Sequence, residues 1–163
     1  MKRLISAIGV LLVFAFLLTA CGTNSTRSAI SEVLGLDVSG GKEVSDYDTH
    51  SGNGDGASCA AISFDDAAVL EEIKRNGTWK SFPLDETVQA LVYGVSDERS
   101  RMGPFLNDGA GKPLVPEIQN GYYLLIDRHA EKGSDILKRS SFNFTLGLYD
   151  ADTNTLYFCR LDT

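Results

Sequence analysis

The 163-residue sequence predicts an α+β domain, an antiparallel sheet of about five strands with helices packed on one face, preceded by a cleaved signal peptide. Three observations carry this reading. Strand-like runs flank a pair of helical segments instead of alternating with them one by one, which argues against a parallel sheet. Residues 142–149 alternate without exception, with Phe142, Phe144, Leu146 and Leu148 on one side and Asn143, Thr145, Gly147 and Tyr149 on the other. The first twenty residues join a basic start to an apolar run, the pattern of an export signal. With 43% hydrophobic and 23% charged residues, the remainder has the composition of one globular domain. A net charge of −7 argues against nucleic acid as a partner, because binding a polyanion needs a positive footprint.

Met1-Lys2-Arg3 supplies the positive start, and the run from Leu4 to Ala20 is broken only by Ser6, Gly9 and Thr19. As a helix it would reach only about 26 Å at ~1.5 Å per residue. That is short of the ~30 Å hydrocarbon core, so the run fits a cleaved signal better than a permanent span. Leu18-Thr19-Ala20-Cys21 resembles the lipobox of bacterial lipoproteins: an aliphatic residue, two small residues and a cysteine. The resemblance implies that the Cys21 thiol receives a diacylglyceryl group and that cleavage falls between Ala20 and Cys21. It places the mature chain on the outer side of a membrane, with two or three acyl chains holding it far more firmly than one would. Cleavage at that point removes Lys2 and Arg3, leaving 13 basic against 22 acidic residues and a net charge of −9. An anionic leaflet repels such a domain, so the lipid does the holding. The organisation expected is therefore residues 1–20 as signal peptide, 21–27 as a lipidated tether and 28–163 as one extracytoplasmic domain.

Within the domain, Ser28 to Gly35 carries Ile30, Val33 and Leu34 at helical spacing and stops at a glycine. Leu36 to Tyr47 reads as an irregular strand, His50 to Gly56 as a glycine-rich turn, and Cys59 to Phe64 as the returning strand. A helix follows, with Asp65 or Asp66 as cap, Val69, Leu70 and Ile73 on one face, and Lys74 and Arg75 at its negative end. Pro83-Leu84-Asp85 opens a second helix, capped by Asp85, with Val88, Leu91 and Val92 as its stripe and an end near Gly94. From Val95 to Asn120 glycines and prolines break every run, so a long connection is expected. A meander closes the chain: Tyr122–Arg128, Phe142–Tyr149 and Leu156–Leu161, with Asp150 to Asn154 as a hairpin turn.

Lipidation of Cys21 leaves Cys59 and Cys159, and an exported compartment permits a disulfide. If Ile62, Phe64, Leu156 and Phe158 face the helices, both thiols face away and share one side. A bridge then needs only that their strands be neighbours. Two separately buried thiols are the other reading.

Chemistry-bearing motifs are sparse. His50 lies among Asp46, Asp48 and Asp55, and His129 follows Asp127-Arg128, but neither stretch has metal-ligand spacing. Asn53-Gly54-Asp55-Gly56 lacks the spacing and terminal Glu of a calcium loop, and no phosphate-cradling motif follows it. No Gly-x-Ser-x-Gly elbow is present. We therefore expect no metal, no cofactor and no assigned catalytic residue, with a small hydrolase built around His129 and Asp127 as one alternative. The favoured reading is a non-enzymatic binding domain that contacts another envelope protein. Its expected face is the polar side of the sheet, carrying Tyr123, Asp127, Asn143, Thr145, Tyr149 and Tyr157, a composition suited to recognition. An inhibitor or immunity-type module is a further alternative.

Together with the lipobox, the segments Pro113-Leu114-Val115-Pro116-Glu117-Ile118, Asn120-Gly121-Tyr122-Tyr123 and Arg139-Ser140-Ser141-Phe142-Asn143-Phe144 resemble a group of small, uncharacterised lipoproteins of Gram-positive bacteria. The resemblance implies the outer face of the cytoplasmic membrane, and it carries no activity. In a Gram-negative cell, Gly22 after the cysteine points to the outer membrane instead.

Overall fold

The computed structural model describes residues 26–163. The expected signal peptide, the Ala20–Cys21 junction and the lipid site at Cys21 lie outside the described residues. The chain divides into two units, the first ending at Gly40 and the second beginning at Gly41.

In the first unit residues 26–34 form helix α1. It takes in Thr26 and Arg27, which the sequence reading assigns to the tether. Ile30 and Leu34, one turn apart, are buried, whereas Val33 is 44% exposed, so the apolar stripe is narrower than its spacing predicts. Gly35 ends the helix at φ 65°, a left-handed conformation, and donates its N–H to the Ser31 carbonyl.

In Gly41–Thr163 the main sheet is antiparallel throughout and has six strands. Their order is β1 (Lys42–Asp48), β2 (Gly56–Ser63), β8 (Thr155–Asp162), β7 (Asn143–Asp150), β6 (Gly121–Asp127) and β3 (Lys80–Ser81). Helices α2 (Ala68–Arg75) and α3 (Glu86–Val92) stand between β2 and β6 in the chain, and β4 (Val95–Ser96) pairs with β5 (Arg101–Met102) just after α3. The α+β class and the five long strands match the sequence reading. The sixth strand and the small ribbon are two residues a side, too short to print a period. No helix among the described residues is long and apolar enough to cross a membrane.

Directly opposed residues of an antiparallel pair project to the same side of the sheet. Phe144, Leu146 and Leu148 of β7 lie opposite Leu161, Cys159 and Tyr157 of β8, and opposite Asp127, Leu125 and Tyr123 of β6. Phe144, Leu146 and Leu148 share one buried cluster with Val88, Leu91 and Val92 of α3, with Leu106, Val115 and Ile118 of the long connection, and with Ile136 of a short 3-10 helix, Ile136–Lys138. On the other side, Tyr149 lies opposite Leu156, which lies opposite Ile62, and all three are fully buried. Phe64 stacks its ring there, 6.5 Å from that of Tyr149.

Both faces of β7 are therefore buried, which corrects the expectation that the side of Thr145 and Tyr149 is an open polar face. The polar-looking side tolerates burial because its polar atoms find partners. Tyr149 donates its hydroxyl to Asn154 Oδ1 at 3.1 Å, and Thr145 Oγ1 accepts from Arg128 Nε at 2.9 Å. Cys59 and Cys159 face each other across β2 and β8 and are joined as a disulfide, with Cα atoms 4.0 Å apart. They share one side, but it is the side of Phe144 and α3, not the side away from the helices. Apolar residues occupy both sides, so parity alone does not say which is which.

α3 follows its local chemistry closely. Asp85 accepts from the Val88 N–H at 2.9 Å, the stripe is Val88, Leu91 and Val92, and Ala90 is buried with them. α2 departs at its start: Asp66 Oδ1 accepts from the Ala68 N–H, but no side chain caps the helix. The connection after α3 packs back on it, with Phe105 and Leu106 both donating to the Leu91 carbonyl. Gly103, at φ 71°, makes this approach possible, since a Cβ there would sit 2.0 Å from the Ala90 carbonyl oxygen.

Candidate functional site

A cleft of about 640 Å³ lies between the β3–α3 corner and the connection. Phe82, Pro83, Leu84, Gln89 and Tyr93 form one wall, and Lys112 to Asn120 the other. Val115 and Ile118 are buried at the junction with the core. Tyr93 sets the geometry. Its hydroxyl donates to the Pro116 carbonyl at 2.7 Å and accepts from the Ile118 N–H at 3.2 Å, which ties the second wall to the end of α3. Burial, only partly offset by the Ile118 N–H, pushes the Tyr93 hydroxyl up to about 12, so it remains a phenol and keeps donating.

The first wall is braced at Asp85. The Tyr123 hydroxyl donates to Asp85 Oδ2 at 3.2 Å and accepts from the Asp85 N–H at 3.3 Å, while Lys80 Nζ lies 3.2 Å from the same carboxylate. Burial works to raise the Asp85 carboxyl, but the Val88 N–H, Lys80 and Tyr123 together hold it below its usual range. The cleft thus has fixed walls, an apolar lining and neutral amides, Gln89, Gln119 and Asn120, around it.

The six residues expected to form one recognition face do not do so. Tyr123, Asp127 and Tyr157 share the side of Phe144, whereas Asn143, Thr145 and Tyr149 share the opposite side. Tyr123, Thr145 and Tyr149 are buried, and Asp127, Asn143 and Tyr157 are half-buried. The cause is the register between strands, which decides which residues become neighbours.

Asp127 is taken up by Arg139, whose guanidinium lies 2.9 Å from Oδ1 and 2.8 Å from Oδ2 and holds its carboxyl below the usual range against the opposing effect of burial. It does not orient the His129 ring. His129 Nδ1 accepts from the Glu131 N–H at 3.0 Å, so a neutral ring carries its proton on Nε2 and presents that donor to Ser141 Oγ at 3.1 Å. Activating a serine requires the reverse, an unprotonated nitrogen toward the hydroxyl and a carboxylate on the other nitrogen.

His50 sits at the far end of the sheet in a polar hollow of about 480 Å³ that includes Ser58, Asn143 and Arg160. Its Nδ1 lies 2.6 Å from Asp48 Oδ1 and its Nε2 3.2 Å from Asp162 Oδ2, while Arg128 lies 2.7 Å from Asp162 Oδ1. The His50 backbone N–H and then its ring hold the Asp48 carboxyl below its usual range. The cluster ties the β1–β2 loop to the end of β8 through His50, and Arg128 pairs with Asp162 there. Among the described residues no group of three or more His, Cys, Asp or Glu side chains is placed to hold a metal ion.

No family model, curated protein or solved structure matches the chain. The cleft residues Phe82, Tyr93, Val115 and Ile118 are those that sequence reasoning missed. One signal was present: Pro113 and Pro116 interrupt the apolar run Leu114, Val115 and Ile118. A run in which two prolines withhold N–H groups from strand pairing, yet apolar enough to be buried, is suited to lining a wall.

Proposed function

We propose that the chain is a lipid-anchored extracytoplasmic binding domain that takes an apolar group of another envelope protein into the cleft between Leu84 and Ile118. The lipobox at Leu18–Cys21 supports the anchoring. The cleft is the observation that carries the binding role: its volume of about 640 Å³ falls in the ligand-pocket range of roughly 300–1,000 Å³. Its lining of Phe82, Leu84, Tyr93, Val115 and Ile118 offers area for burial, and the amides around it can fix orientation. One lysine, Lys112, and one glutamate, Glu117, leave the cleft near neutral, so the complementary group is uncharged.

Photo-crosslinking in the intact envelope tests this. A benzophenone side chain at Gln119, on the wall, is expected to give a discrete adduct. The same group at Val44 of β1, an exposed position remote in sequence from the cleft walls, is expected to give none. Leu84→Trp, which fills the cleft, is expected to abolish the Gln119 adduct without lowering the melting temperature. Equal adducts from both positions, or an adduct that persists in Leu84→Trp, would overturn the reading.

A further inference from the structure

The two edges of the main sheet are built differently. β1 carries Lys42, Glu43, Asp46 and Asp48, and its register slips between Glu43 and Ser45. Charge and irregularity of this kind keep foreign strands away. At the opposite edge β3 pairs only with Tyr122 and Tyr123 of β6, and the chain ahead of it turns away, with Trp79 donating to the Asn76 carbonyl.

Three hydrogen bonds fix where the β6 main chain points beyond that pair. Phe82 donates to the Gly121 carbonyl, so Gly121, Tyr123, Leu125 and Asp127 aim their main-chain groups toward the β3 side. Ala151 donates to the Asn120 carbonyl and Arg128 donates to that of Asn143, so the even-numbered residues aim at β7. Lys80 stands opposite Tyr123. Leu125 and Asp127 therefore offer two N–H and two C=O groups that no main chain among the described residues takes up. The side chains from Leu124 to Asp127 are half-buried. Three of the four are uncharged, and Asp127 is neutralised by Arg139.

We infer that the outer edge of β6 at Leu124–Asp127 is a docking site for an extended, uncharged segment of a partner polypeptide, which adds as a strand antiparallel to β6 and in line with β3. Spaced N–H and C=O groups on one line are matched by an extended main chain and by little else. An edge without net charge, in a chain of net charge −7, complements an uncharged strand. This site is separate from the cleft and does not depend on it.

Amide hydrogen exchange on the full chain in detergent tests the inference, with the acetylated and amidated hexapeptide Val-Thr-Val-Thr-Val-Thr as probe. Without probe, Leu125 and Asp127 are expected to exchange fast while Leu124 and Ile126 are protected. Saturating probe is expected to slow Leu125 and Asp127 about tenfold or more, and a version N-methylated at alternate residues is expected to leave them unchanged. Leu125→Pro removes the outward N–H together with a side chain that packs against the core, so it is expected to melt cooperatively below the parent and to lose the probe response at Asp127. Leu84→Trp, which blocks the cleft, is expected to keep it. Protection of Leu125 and Asp127 without probe, no slowing with it, equal slowing by the N-methylated peptide, or an unchanged probe response at Asp127 in Leu125→Pro would each overturn the inference.

Discussion

Phe144→Asp is expected to leave no folded population at 25 °C. Phe144 is fully buried in the middle of the sheet, in the cluster that joins β7 to α3 and the long connection. Truncating a buried phenylalanine costs about 3–5 kcal/mol through lost burial and the cavity left behind. A carboxylate in its place adds the desolvation of an unpaired charge, and a domain has only about 5–15 kcal/mol in all. Phe144→Leu, which keeps most of the volume, is expected to cost about 1 kcal/mol and so controls for position. Near-ultraviolet circular dichroism and a thermal melt read both variants. A cooperative melt of Phe144→Asp close to the parent's would show that the core does not sit where β7, β8 and α3 place it.

The second large effect is expected from the paired substitution Cys59→Ala and Cys159→Ala. The bridge spans 100 residues of sequence and joins two strands inside the sheet. In the chain-entropy model a loop of that length contributes up to ~4.7 kcal/mol, and native bridges commonly deliver about 2–4 kcal/mol. For a domain of this size that is a fall in melting temperature of roughly 10 °C. Denaturant melts of the oxidised parent and the double variant, run side by side, give the difference. A double variant as stable as the parent, or alkylation of both thiols in unreduced native protein, would contradict the bridge.

How much of this was legible in the sequence depends on the range of the interaction that decides each feature. α3 was readable from Asp85 to Gly94 because its cap, its stripe and its terminating glycine all lie within one local period. The alternation of β7 was readable for the same reason. That both sides of β7 are buried was not readable. Burial of Thr145 rests on Arg128 and burial of Tyr149 on Asn154, and the sequence pattern does not announce either pairing. The grouping of Tyr123 with Thr145 and Tyr149 failed on strand register, since one residue of offset between β6 and β7 exchanges sides. Parity within β2 and β8 sufficed to bring Cys59 and Cys159 to a common side. The cleft was hidden because Tyr93 joins α3 to Pro116 and Ile118 across more than twenty residues of irregular chain.

Everything proposed about place and partner depends on Cys21, and intact mass spectrometry of the mature chain drawn from the membrane fraction tests it most directly. The expected result is a polypeptide that begins at Cys21, with its sulfur carrying a diacylglyceryl group. A chain that retains Met1–Ala20, or one whose Cys21 thiol still takes up an alkylating reagent, would contradict the account.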